Sequence, residues 1–61
     1  MNTLEITTTS RKQIDDIIQC ATYPVEVEKL DANTFNVICE VEDVDKIDEA
    51  CEGLGLPCRL V

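Results

Sequence analysis

The sequence contains no histidine and no tryptophan, and it has only two glycines. Histidine is the side chain that most often acts as a general base, so its absence removes the commonest route to acid–base catalysis. Two glycines cannot build a glycine-rich phosphate loop, and no hydroxyl or thiol nucleophile has a base beside it. We therefore expect a protein that is not an enzyme and that holds no cofactor or metal.

Long hydrophobic runs are also missing. No stretch approaches the roughly 18 consecutive apolar residues of a membrane-spanning helix. The first residues, MNTLEITTTSRKQ, lack the apolar segment that follows a basic start in a signal peptide. At 61 residues the chain is predicted to form one domain, residues 1–61. These features predict a cytoplasmic protein without membrane contact.

Cysteine, by contrast, is frequent. Four cysteines occur, none spaced as C-x-x-C, and no histidine is present to complete a zinc site. Four cysteines allow three pairings, and the sequence does not choose among them. The favoured interpretation is four reduced thiols that act as small hydrophobic side chains in the core: Cys20, Cys39, Cys51 and Cys58.

Three segments alternate between apolar and polar residues, which is typical of strands. They are TLEITTT, VEVEKL and TFNVICEV, the last placing Phe35, Val37, Cys39 and Val41 on one face. The DAN turn at 31–33 joins the second and third segments, and Asn33 can adopt the left-handed conformation that a bulged hairpin needs. A last short strand is expected at CRLV, with Cys58 and Leu60 facing inward.

Two segments repeat apolar residues at helical spacing. The first begins at a capping box formed by Ser10 and Gln13 and continues with Ile14, Ile17, Ile18 and Ala21. In the second, Asp43 is the expected N-cap, and Gly53, Gly55 and Pro57 are stop signals. Its predicted buried stripe is Val44, Ile47, Cys51 and Leu54.

The order of elements is β-α-β-β-α-β. For that order we predict an α+β, ferredoxin-like sandwich: a four-stranded antiparallel sheet of order 4-1-3-2 with two helices on one face. The other sheet face stays open to water and carries Glu5, Glu26, Glu28 and Glu40 beside Arg59.

Negative charge dominates the sequence, with a net charge of −8. Such a surface repels nucleic acid and anionic membranes and favours basic partners. On the second helix, carboxylates recur at i, i+3, i+4 and i+7, a set that we call the acidic row: Asp45, Asp48, Glu49 and Glu52. Neighbouring like charges destabilise a helix slightly, and only Lys46 offers local relief.

Two interpretations of the acidic row stay open. It is either a docking surface for a basic protein or a solvated face that keeps a small domain soluble and monomeric. Carboxylates about 5–6 Å apart approximate the phosphate spacing of a nucleic-acid strand, so the lysines and arginines of a nucleic-acid-binding protein would accept them. A second candidate surface is formed by the sheet-face glutamates: Glu26, Glu28 and Glu40.

Direct binding of nucleic acid is not expected. RNA-binding domains of this topology read bases with aromatic side chains on the open sheet face. Here that face carries glutamates, and the only aromatic residues are Tyr23 and Phe35.

The segment IDEACEGLGLPCRLV resembles the second half of small heavy-metal-associated domains, in which a helix ends in glycine before a short last strand. The resemblance covers about a quarter of the chain and implies the same ferredoxin-like fold. Those domains bind metal through M-x-C-x-x-C after the first strand, and TTTSRK occupies that place here. The resemblance therefore implies the fold but not copper transfer.

Two functional hypotheses follow. The first is a small acidic inhibitor or adaptor that occupies a basic, nucleic-acid-binding surface of a partner protein. Phage-encoded inhibitors of host or defence nucleases, such as anti-CRISPR proteins, are similar to this chain in size and charge. The alternative is a homo-oligomeric regulatory domain that pairs through its sheet and binds small molecules between protomers, aided by an apolar strip: Leu30, Ile38 and Val61.

Overall fold

The strands and helices occur in the order that the sequence predicts. The computed structural model describes all 61 residues. Its elements are β1 (Asn2–Thr7), α1 (Arg11–Ile18), β2 (Glu26–Asp31), β3 (Thr34–Cys39), α2 (Val41–Leu54) and β4 (Cys58–Leu60). The strands form one antiparallel sheet of order β2-β3-β1-β4, which is the predicted order read from the opposite edge. The ferredoxin-like fold of the α+β class is confirmed.

Both helices pack on the same face of the sheet. Alternation along β1 and β3 directs their apolar side chains to that face, because successive residues of a strand point to opposite sides. The nine buried members of the core are Leu4, Ile6, Ile14, Ile17, Phe35, Val37, Cys39, Ile47 and Cys51. Since Ile47 and Cys51 are fully buried, they fix the rotation of α2 and thereby decide which of its residues face water.

The β2–β3 hairpin forms as predicted, with an irregular register near its turn, but one residue of the turn differs from the prediction. Pairing between these strands is irregular between Lys29 and Asp31, where a bulge interrupts the register. Asn33 is not left-handed, since no residue other than glycine has a positive φ. The carboxylate of Asp31 instead accepts the Asn33 N–H at 3.0 Å. This side chain–backbone bond supports the turn without the left-handed residue that we expected.

Helix α1 begins at the predicted cap. Ser10 is its N-cap, and its hydroxyl accepts the backbone N–H of Gln13. The reciprocal half of a capping box is absent, because the Gln13 side chain bonds the Thr8 hydroxyl. The Thr8 hydroxyl in turn accepts the Ser10 N–H at 3.1 Å. Thr8 is therefore a third residue of the cap. Its hydroxyl accepts the Ser10 N–H, which the Gln13 side chain was expected to accept.

Helix α2 begins earlier than expected, at Val41, with Glu40 as its N-cap. The predicted strand face included Val41, but this residue is helical and 67 % exposed. Leu54 was expected in the buried stripe and is 45 % exposed in the last turn. The helix ends as predicted at Gly55, which adopts the left-handed conformation with φ of 71°.

The four cysteines are unpaired but are not all core residues. Cys39 and Cys51 are buried, Cys58 is half-buried, and Cys20 is exposed. The expectation of four core thiols is therefore wrong for Cys20, which lies in the turn after α1, where its N–H bonds the Ile17 carbonyl. Leu60, expected to face inward, pairs with Leu4 in the register but is 59 % exposed.

Candidate functional site

The solvent-facing side of α2 carries the acidic row. Asp45, Asp48, Glu49 and Glu52 all lie within the helix and are all exposed. Residues three and four apart on a helix are about 5–6 Å apart at their Cβ atoms. The row is therefore a line of carboxylates on one rigid element, held in place by the buried side of the same helix.

No cation of the chain forms an ion pair with the acidic row. Arg11 pairs with Asp15 at 3.0 Å, and Arg59 pairs with Glu5 at 3.1 Å. The ammonium group of Lys29 lies over the ring of Phe35, 5.9 Å from its centroid. Lys12 forms no ion pair, and Lys46 is engaged elsewhere. The negative charge of the row is consequently left for solvent or a partner to balance.

Lys46 does not relieve the acidic row as the sequence suggested. Its ammonium group donates a hydrogen bond to the hydroxyl of Thr22. It also lies 3.8 Å from a carboxylate oxygen of Asp43, which is not a member of the row. Both contacts hold the lysine near the loop after α1. The only basic residue of α2 therefore stabilises the contact between the helix and this loop, and it does not pair with the acidic row.

Asp43 has a structural role that we did not predict. It was expected to be the N-cap, but it is the third residue of α2 and its side chain is completely buried. Its two carboxylate oxygens accept the backbone N–H groups of Thr22 at 2.9 Å and of Tyr23 at 3.0 Å. The carboxylate therefore ties the α1–β2 loop to the start of α2.

Electrostatics agree with this role of Asp43. The two backbone hydrogen bonds from Thr22 and Tyr23 lower the pKa of the carboxyl, and Lys46 adds a smaller effect in the same direction. Burial opposes the shift but is outweighed. The buried position of Asp43 could have been recognised in the sequence. Asp43 shares a helical stripe with the core residues Ile47 and Cys51, at i, i+4 and i+8.

One more acidic residue extends the candidate surface. Glu42 is exposed in the first turn of α2, three residues before Asp45 and seven before Glu49. It therefore lies on the side of the helix that carries the row, near the positive end of the helix dipole, where a carboxylate is favourable. The spacing of Glu42 to Asp45 in the sequence could have indicated this position.

The sheet-face glutamates are arranged differently. Glu26 and Glu28 are exposed on the edge strand β2, whereas Glu40 is half-buried between β3 and α2, as the N-cap of the helix. Across the sheet, the register aligns Glu28, Asn36, Glu5 and Arg59 on adjacent strands. The open face therefore mixes charges of both signs, with an internal ion pair beside its centre.

Asn36 contributes an additional polar group at the centre of this face. Its side-chain carbonyl oxygen is buried and has no hydrogen-bond partner. The apolar strip expected nearby is not continuous, because Ile38 pairs with Glu26 on one side and with Thr3 on the other. Leu30 and Val61, which are 46 % and 70 % exposed, are thus separated from Ile38 by polar side chains.

The candidate surfaces are open rather than concave. No pocket is present in the protein, and no cluster of three or more Cys, Asp or Glu side chains is arranged to hold a metal ion. Neither helix combines the length and apolar character needed to cross a membrane.

Comparison of the chain with protein-family models, with curated proteins and with solved structures found no match.

Proposed function

We propose that the protein is a small acidic binding module that inhibits a partner by occupying its basic, nucleic-acid-binding surface. The observation that carries this proposal is the acidic row: four exposed carboxylates on one rigid helix, with no cation of the chain paired to them. The row therefore presents its negative charge to any partner that approaches the helix.

The physical basis is charge complementarity. Repulsion between neighbouring carboxylates makes the row slightly unfavourable in the isolated protein. A partner that brings lysines and arginines to the row removes this repulsion and gains attraction at the same time. Surfaces that bind phosphate offer such cations at a comparable spacing, and their association with a protein of net charge −8 is accelerated at long range.

Rigidity adds to the proposal. The row lies opposite the fully buried residues Ile47 and Cys51, and the loop beside the helix start is tied to Asp43 by two hydrogen bonds. Charges that are already held in position lose little conformational entropy on binding. The four unpaired cysteines fit action in a reducing compartment such as the cytoplasm.

Two variants with equal charge test this function. In the row variant, Asp45→Asn, Glu49→Gln and Glu52→Gln remove three negative charges. Asp48 is kept because its charge helps to raise the pKa of Cys58. In the sheet variant, three negative charges are removed from the second surface by substitutions at the sheet-face glutamates: Glu26→Gln, Glu28→Gln and Glu40→Gln.

Each protein is immobilised and exposed to an extract of cells that make it, and retained proteins are identified by mass spectrometry. We expect the native protein and the sheet variant to retain the same basic protein. Single-stranded nucleic acid should elute this protein, and the row variant should not retain it. Retention that is equal for the row variant, or a partner that nucleic acid cannot elute, would refute the proposal.

A further inference from the structure

Two of the four cysteines are neighbours in space. Cys51 lies in the last part of α2 and Cys58 is the first residue of β4. Cys51 belongs to the buried core, and the half-buried Cys58 packs against that core. Each thiol affects the pKa of the other. Seven positions apart in sequence, both cysteines therefore lie between the helix and the sheet.

Backbone hydrogen bonds hold the turn between the two cysteines in place. Gly55 reverses the chain in the left-handed conformation after α2. The N–H of Leu56 bonds the carbonyl of Cys51 at 2.9 Å, and the N–H of Thr7 bonds the carbonyl of Pro57 at 3.0 Å. Both ends of the connection are thereby fixed, the first to α2 and the second to β1. Cys58 then pairs with the buried Ile6 and shares its face of the sheet.

We propose that Cys51 and Cys58 form an oxidation site at which hydrogen peroxide, as the oxidant, converts the two thiols into a disulfide. This inference does not depend on the proposed function. In the first step the Cys58 sulfur, which is the less buried of the two, attacks one peroxide oxygen; the O–O bond breaks, giving a sulfenic acid and one water. In the second step the Cys51 sulfur displaces the sulfenic hydroxyl, which leaves as a second water.

The balance of this reaction is complete. Two thiols lose two electrons and two protons in total, and one hydrogen peroxide becomes two waters. At neutral pH Cys58 is a protonated thiol, because burial, with smaller contributions from Cys51 and Asp48, raises its pKa to about 12. Since the thiolate is the reactive form, we expect the oxidation to be slow.

The disulfide would join the last strand to the second helix. In the reduced form, β4 is an edge strand of three residues, paired on one side only with β1. Its end is exposed, including Val61 at 70 %. A covalent bond at its first residue restricts the unfolded chain and therefore stabilises the folded state. The oxidised protein should resist thermal and denaturant unfolding better than the reduced protein.

Trypsin separates the cysteines in a way that makes the test direct. Cleavage after Lys46 and Arg59 releases a peptide, residues 47–59, that contains Cys51 and Cys58 and no other cysteine. Cys20 and Cys39 fall in two other peptides, 13–29 and 30–46. A Cys20→Ser background removes the exposed thiol and with it intermolecular disulfides.

The reduced Cys20→Ser protein is treated with hydrogen peroxide, alkylated and digested. We expect the mass of peptide 47–59 to fall by two hydrogen atoms and both of its cysteines to escape alkylation. The midpoint of urea unfolding should rise on oxidation and return to its original value when a reductant is added. Peptide 30–46 serves as the internal control, because Cys39 should remain alkylated. A peptide 47–59 that stays doubly alkylated, or that gains oxygen atoms at Cys58 without bonding to Cys51, would overturn the proposal.

Discussion

The two sides of helix α2 use the same side-chain chemistry for opposite purposes. On the inner side, the carboxylate of Asp43 is completely buried, between two backbone donors and a lysine. On the outer side, the carboxylates of the acidic row are exposed and have no cationic partner in the chain. The role of an acidic residue in this helix is therefore decided by its donors, not by its charge.

This contrast explains how so acidic a segment folds. Burying a carboxylate is costly unless hydrogen bonds and a nearby cation compensate, and Asp43 has both. The row avoids the cost by remaining in water, where repulsion between its members is weak. The single lysine of the helix, Lys46, serves the buried carboxylate. The outer side is left negative as a consequence.

The largest expected effect comes from removing the inner carboxylate. Asp43→Ala removes the acceptor of the N–H groups of Thr22 and Tyr23 and with it the tie between the loop and α2, so we expect the midpoint of thermal unfolding to fall by about 10 °C. The matched control, Asp45→Ala, makes the same chemical change on the outer side and should shift the midpoint by only about 2–4 °C. Equal shifts in the two variants, measured by circular dichroism, would contradict the contrast between the sides.

The pH dependence of stability distinguishes the same two sides. The folded-state pKa of Asp43 lies below its ordinary value of 3.8. Its stabilising effect is therefore fully present above about pH 4–5 and is lost as the pH falls through the ordinary value toward the lowered one. We expect the free energy of unfolding to differ between native protein and Asp43→Asn by a constant amount from about pH 5 to 7, and the difference to shrink below pH 4.

Urea titrations at several pH values measure this difference. The other carboxylates are the same in both proteins, so the comparison isolates Asp43. A difference that persists unchanged to pH 2 would mean that the Asp43 carboxylate does not hold the loop in its ionised form.

A smaller effect tests where the helix that carries the row ends. Gly53 lies inside α2, and a Cβ there would meet no atom within 4 Å, so Gly53→Ala should stabilise the protein by about 0.5–1 kcal/mol. Gly55 has a φ of 71°, and Gly55→Ala should instead cost about 1–2 kcal/mol. Urea denaturation of the two variants gives opposite signs if the helix ends as described. The same sign in both would place its end elsewhere.

The smallest expected effect concerns the outer side itself. Removing three charges in the row variant relieves repulsion worth a few tenths of a kcal/mol per neighbouring pair. The variant should therefore be slightly more stable than the native protein at low salt, by about 1 kcal/mol in total. The gain should vanish in about 1 M salt, which screens exposed charges. A loss of stability at low salt would show that the row is used in folding.

Much of the fold could be predicted because it depends on periodicity. Alternation in β1 and β3 and the stripe Ile14–Ile17 in α1 specify which faces are buried, and burial of those faces leaves few topologies for this order of elements. The start of α2 was missed because Val41 continues the alternation of β3 while serving as the first helical residue. Local pattern alone does not resolve such an overlap.

The candidate site was predictable in part, for a similar reason. The helical spacing of the acidic row is visible in the sequence, and the structure places all four residues on the exposed side. The roles of Asp43 and Lys46 were not foreseen, because their partner Thr22 lies about twenty positions away. Contacts between a loop and a helix produce no periodic pattern in the sequence. The same holds for the pair Cys51 and Cys58, which a turn brings together.

The central claim is that the outer side of α2, and not the sheet face, binds a basic surface. Its most direct test is the dissociation constant of the captured partner for the native protein, the row variant and the sheet variant, measured by calorimetry at low and at raised salt. We predict that the row variant binds at least about tenfold more weakly at low salt, a loss that shrinks as salt screens the charges, while the sheet variant stays within about twofold. Equal weakening in the two variants, or weakening in the sheet variant alone, would contradict the account.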